Sequence, residues 1–225
     1  MTTALDKFDK FVSLGYVCTV SSMLMRLRKR TKTQVFDYMA IPAWAISELL
    51  TNNFEQIFDP ANMELKVLFD NSDKEYLTDT RYNIRLPFDD YPSHKFENYE
   101  ESKSQRAVRL HSLLSAAETN GESLLFIRHE EPQHYADLGN RIPNPAHAAK
   151  YAQSELYWLQ QISQTIKTKY PSLDFKILFF NSAGEMVNDN IVGISLPDCD
   201  YREGCAGGKM IKKLQDHSLF LETNL

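Results

Sequence analysis

Cysteine is scarce: the 225 residues hold three, Cys18, Cys199 and Cys205. An odd number in a chain this long excludes a disulfide framework as its organising device. Cys199 and Cys205 are spaced too widely for a Cys-x-x-Cys pair, and only His217 lies near them in sequence. No zinc centre, other metal or cofactor is expected from such a set. No apolar run approaches the length of a membrane span. The opening MTTALDKFDKF lacks the apolar core of a signal peptide. The expectation is a cytoplasmic protein with reduced thiols.

Excess basic charge is also absent. Thirty acids face 25 bases, a net charge of −5, which argues against a nucleic-acid partner. The densest basic run, Arg26, Arg28, Lys29, Arg30 and Lys32, has two readings: cations favoured by a helix C-terminus, or a phosphate or lipid patch. Neither a Gly-x-Gly-x-x-Gly nor a Gly-x-Ser-x-Gly motif occurs. GCAGGKM at 204–210 is not a phosphate loop either. Glu203 stands where its first glycine belongs, and Met210 where a Ser or Thr would bind magnesium.

What the chain does have is alternation. Short apolar runs at 11–14, 124–128, 175–180 and 191–196 read as strands, with 64–69 and 82–86 as further ones. Helical stripes cover 19–30, 43–52 and 97–119, then a stretch from Asn144-Pro145 to Pro171, then 209–217. Fully apolar strands alternating with helices predict an α/β protein, a three-layer sandwich around a mostly parallel sheet. The 43% hydrophobic content over 225 residues suits a single domain, 1–225. Residues 55–80 read as an irregular insertion or lid.

FVSLGYVCTVSSML at 11–24 places Cys18 where a strand gives way to a helix. Free N–H groups and the positive end of a helix dipole stabilise a thiolate there. The carboxyl edge of a parallel sheet is where α/β proteins bind ligands. Position and chemistry make Cys18 a candidate nucleophile. The bland alternative is a small buried hydrophobe. Gly15 and Thr19 belong to the same turn and count as candidate substrate-binding residues.

A thiol nucleophile needs a base. His129 follows the strand LLFIR and emerges beside Cys18 if the two strands are parallel. His94 lies in the loop after PFDDYP and is the other candidate. Arg128 would emerge with His129 as an anion ligand. Asp37 or Asp90 could orient the imidazole, as the third member of a triad does. Against this, Asp37 could bind a turn near Tyr38, and the Asp89-Asp90 pair before Tyr91-Pro92 reads equally as a turn.

Residues 11–58 resemble a bacterial and plant family of papain-like cysteine peptidases. The pattern is Ser13, Leu14 and Gly15, then Cys18, a leucine-rich helix, Phe36-Asp37-Tyr38 and Asn53-Phe54. Tyr38 stands where the family usually has tryptophan. Phe126, Ile127 and Arg128 match a later family strand, while Asp89, Asp90 and Tyr91 fall where it has His-Asp-Phe. The resemblance implies a cysteine-dependent hydrolase acting on a peptide, acyl or glycan-type substrate, and a papain-like α+β fold as the alternative architecture. Aspartate at the family's histidine position means that either His94 or His129 serves as base, or this member binds a ligand without turnover. A third reading, a sugar or sugar-phosphate transferase, rests on fold analogy alone. Oligomeric state is left open.

Overall fold

The strand LLFIRH (β5, Leu124–His129) shows how the chain builds its centre. All six of its residues are buried, so its two faces must both be covered. In a computed structural model describing residues 4–15, 19–29, 32–37, 39–67, 75–86, 96–130, 147–196 and 206–225, they are. β5 lies between β1 (Lys10–Ser13) and β6 (Phe175–Asn181), parallel to both, and β6 pairs in parallel with β8 (Ile191–Ser195). A short antiparallel strand, β7 (Met186–Asn188), completes the order β1-β5-β6-β8-β7.

The period of two sorts the side chains into two cores. On one face Val12, Phe126, Ile177 and Ile191 are register partners. They join the core beneath α2 (Ala43–Thr51), α3 (Phe96–Asn120) and α5 (Glu155–Lys169). On the other face Ile127, Leu178 and Val192 pack with Val20, Met23 and Leu24 of α1 (Thr19–Arg26). Met210 and Leu214 of α6 (Ala206–Asp216) and Leu221 of α7 (Ser218–Asn224) complete that core. Each fully buried aliphatic side chain contributes roughly 1.5–3 kcal/mol. Two helical layers over a mostly parallel sheet are the α/β sandwich expected from the sequence.

A second, antiparallel sheet of β2 (Met63–Val67), β3 (Glu75–Asp79) and β4 (Ile84–Leu86) lies between α2 and α3 in the chain. Arg85 and Ala40 exchange backbone hydrogen bonds of 2.8 and 2.9 Å, tying this sheet to the segment that leads into α2. β2 and β3 fall inside the 55–80 region that reads as irregular. Its order comes partly from Asp79, whose buried carboxylate accepts from the backbone N–H groups of Phe58, Arg81 and Tyr82 at 2.9, 3.0 and 3.2 Å.

Three helix boundaries differ from the sequence reading. α1 stops at Arg26 rather than running to residue 30. Arg28 adopts φ 56°, and Lys29 N–H returns to the Leu24 carbonyl at 2.9 Å. This is a left-handed helix stop without the glycine that usually announces one. The long helix expected up to Pro171 divides into α4 (Ala148–Tyr151) and α5. Ser154 caps α5 by accepting from Tyr157 N–H at 3.1 Å. Asn144 and Pro145 lie outside the described residues. α6 begins at Ala206, so two glycines sit in its first turn. Gly207 faces the α1 backbone: a Cβ there would lie 3.4 Å from Met23 N and 3.5 Å from Thr19 O, in ordinary van der Waals contact.

Candidate functional site

The turn that follows β1 is built by Ser13 and Gly15. Gly15 N–H donates to Ser13 Oγ at 3.2 Å. Gly15 has φ +75°, and a Cβ there would stand 2.8 Å from Ile41 Cγ2 and 3.3 Å from the Phe36 carbonyl oxygen. Both the backbone conformation and the space demand glycine. The Ser-Leu-Gly pattern is therefore a folding instruction. It ends the strand and redirects the chain toward α1, whose first residue, Thr19, is 7% exposed. Cys18 immediately precedes Thr19 in sequence and lies outside the described residues, as do His94 and Asp90.

β1 is an edge strand, and Gln34 closes its outer side. The Gln34 side-chain amide accepts from Ser13 N–H at 2.5 Å and donates to the Phe11 carbonyl at 2.6 Å, the two bonds a neighbouring peptide would make. Asp37 is fully buried, and its carboxylate accepts from Gln34 N–H at 2.5 Å. That bond closes the 34–37 turn, which the Gln34 side chain holds against β1. It is the turn-binding geometry weighed for Asp37 in the sequence.

Arg128 and His129 leave the end of β5 on opposite faces. Arg128 is wholly buried on the α2/α5 side. Its Nε donates to Glu155 Oε1 at 2.6 Å, and its Nη1 to the carbonyls of Leu14 and Ile41 at 2.8 and 3.0 Å. One guanidinium thus joins the end of β1, the entry to α2 and the first turn of α5. Three of its bonds therefore go to protein acceptors.

His129 shares its sheet face with Ile127, two residues earlier, and so with the core that α1 covers. It is 2% exposed. Burial first, and the neighbouring Arg128 charge second, push the imidazole down to about 3, so it is uncharged at neutral pH. The adjoining edge is ordered by backbone hydrogen bonds. Glu130 N–H donates to the Phe180 carbonyl at 2.8 Å, and Glu130 Oε2 accepts from Ser182 N–H at 2.5 Å. Buried Asn181 closes the end of β6, accepting from Gly184 N–H at 2.9 Å.

The other described histidines are placed by packing. His111 is half-buried, with Nδ1 2.9 Å from the Tyr170 hydroxyl. His147 lies 4.7 Å from Trp44, ring centre to ring centre. His217 pairs with Glu185 at 2.6 Å. His134 lies outside the described residues. No group of three or more His, Cys, Asp or Glu suited to a metal occurs among the described residues. No described helix is long and apolar enough to cross a membrane.

The sequence reading missed Gln34 and Glu155. An internal amide that replaces a strand has no periodic signature. Glu155 follows a helix-capping serine, where an acid is expected for the helix dipole alone.

A family model described as "Putative papain-like cysteine peptidase (DUF1796)" matches residues 9–184, from the start of β1 past the end of β6. No curated protein and no solved structure shows significant similarity to the chain. The match takes in well over half of the sequence, including the Ser13–Gly15 turn, Cys18 and the Arg128-His129 pair, and the chain belongs to this family.

Proposed function

We propose that the protein is a cysteine-dependent hydrolase in which the Cys18 thiol, at the entry to α1, is the nucleophile and His129 the base. The family is one of cysteine hydrolases by its description. The observation that carries the finer reading is the shared face: His129 closes β5 on the side of the sheet that α1 covers, and β1 and β5 are parallel neighbours. Residues leaving the carboxyl ends of adjacent parallel strands meet at one rim.

His129 enters the reaction uncharged, the form that accepts a proton. Its proton affinity is low while burial and Arg128 dominate its surroundings. A thiolate alongside it raises that affinity, since an opposite charge favours the imidazolium. Thr19 and the N–H groups of the first turn of α1 face developing negative charge, as at any helix N-terminus. Arg128 acts by position, holding the end of β5 against Leu14 and Glu155. Asp37 acts on the turn through Gln34. His94 and Asp90 remain the alternative base and orienting acid, supported by their place in the sequence, in and just after PFDDYP.

The pH dependence of Cys18 alkylation by iodoacetamide tests this, read peptide by peptide so that Cys199 and Cys205 serve as internal references. Cys18 is expected to react with an apparent pKa well below about 8.5, and H129Q to move that pKa. A Cys18 that stays inert until the protein unfolds overturns the reading. The strong burial of His129 supports a second one, a ligand-binding protein without turnover. Saturable binding of a substrate-like ester by C18S and wild type alike, with no product from either, would select it.

A further inference from the structure

The basic run after α1 is only part of a larger cluster. Lys29 and Lys32 line a cleft of about 260 Å³ together with Lys10 of β1 and with Arg106 and Arg109 of α3. Three separate segments therefore deliver positive charge to one place, in a chain whose net charge is −5. The helix dipole does not account for it: α1 ends at Arg26, and Lys10, Arg106 and Arg109 belong to other elements.

Some of this charge is already answered. Lys10 pairs with Glu122 at 3.4 Å and Lys29 with Asp6 at 2.7 Å. Asp9 also lines the cleft, and its carboxylate accepts from Ser123 N–H and Oγ at 2.8 and 3.0 Å. Arg106 and Arg109 have no acidic partner among the described residues; Arg109 Nε donates to the Gln105 carbonyl at 3.2 Å. Three residues apart on α3, they present two guanidinium groups on one helix face. Between the cations the cleft is apolar, lined by Phe11, Val35, Leu110 and Leu113. Gln34 occupies the hydrogen-bonding edge of β1 here, so an added strand finds no ladder to join.

We propose that this cleft binds a small phosphorylated molecule, a phosphate ester whose anionic group is taken by Arg106 and Arg109 with Lys32 and Lys29, and whose apolar body lies on Phe11 and Leu110. Guanidinium pairs match phosphate geometry, and the apolar lining distinguishes an organic phosphate from the free ion. The volume suits a compact solute rather than a lipid surface. The site uses the β1 edge and α3, so it stands whether or not Cys18 is a nucleophile.

Calorimetric titration of the full chain with phenyl phosphate, and separately with inorganic phosphate, tests it. Phenyl phosphate should bind about tenfold or more tighter than inorganic phosphate, reflecting the buried ring. R106Q/R109Q should weaken it about tenfold or more while keeping the wild-type thermal unfolding, since both residues are on the surface of α3. Lys32→Gln, a single loop change, should weaken it in the same direction. Equal affinity for the two phosphates, no binding, or binding indifferent to these variants overturns the proposal. So does retention on vesicles of phosphatidylserine by a chain that ignores phenyl phosphate, which would assign the cleft to a membrane surface.

Discussion

Arg128 Nε and Glu155 Oε1 meet at 2.6 Å, with the arginine side chain fully buried and the glutamate 13% exposed. A pair in this setting stabilises little by itself, but breaking it leaves an uncompensated charge inside the protein. Glu155→Ala should therefore cost about 3–5 kcal/mol in urea unfolding. Paired replacement by Met at 128 and Leu at 155 should recover part of that loss. A loss under about 1 kcal/mol for the single variant would mean that the guanidinium's other acceptors, the Leu14 and Ile41 carbonyls among them, suffice to hold it.

Gly15→Ala meets two penalties. The φ of +75° disfavours any L side chain, and the new methyl would stand 2.8 Å from Ile41 Cγ2. Together these should destabilise the fold by about 3 kcal/mol. Because the same turn aims the chain at α1, Cys18 reactivity should return to that of an ordinary thiol even below the melting temperature. Unaltered stability with unaltered alkylation would show that Ile41 yields freely and that the turn does not set the thiol's environment.

His129 makes stability depend on pH with a definite sign. Its imidazole is held down at about 3 in the folded protein, against about 6.5 in an unfolded chain. The unfolded state thus binds the extra proton between these values. The stabilisation is complete above about 6.5 and is lost as pH falls toward about 3. From pH 7.5 to 5.5 the contribution is about 1.4 kcal/mol. H129Q should flatten the unfolding midpoint over that interval by a corresponding amount. His111 and His147 are lowered too and leave a residual slope. Identical slopes in wild type and H129Q would mean that His129 is readily protonated in the fold.

Much of this architecture can be read before any coordinates. The strands at Phe11, Leu124, Phe175 and Ile191 announce themselves because burial on both faces makes most of their positions apolar. The parallel pairing of β1, β5 and β6 follows from the helices between them, whereas β6 and β8 are joined through the short β7 alone. The placement of His129 on the side of α1 follows from the strand period once β1 and β5 are neighbours. What stays hidden is whatever breaks a period by a local device. Arg28 stops a helix in a conformation that glycine usually takes, and Ser154 restarts one without a proline or glycine nearby. β7 is three residues long and presents no buried face. In the site, Arg128 reads as an anion ligand emerging at the end of a strand, and its full burial is not legible because arginine rarely ends a strand buried. Only the carbonyls of Leu14 and Ile41, far off in sequence, reveal its role as a tie.

The pairing of β1 with β5 also has a consequence in time. Residues 10–13 find their strand partners at 124–127, so a ribosome must add more than a hundred residues before the first strand can take its place. Until then Phe11 and Val12 wait without the sheet that buries them. Closing so long a loop is slow, and unsatisfied apolar segments are where association between nascent chains begins. The Gln34 amide, only 21 residues beyond Ser13, is available far earlier. It can occupy the backbone of Ser13 and Phe11 during that interval, acting as a temporary companion that becomes permanent once the sheet has formed.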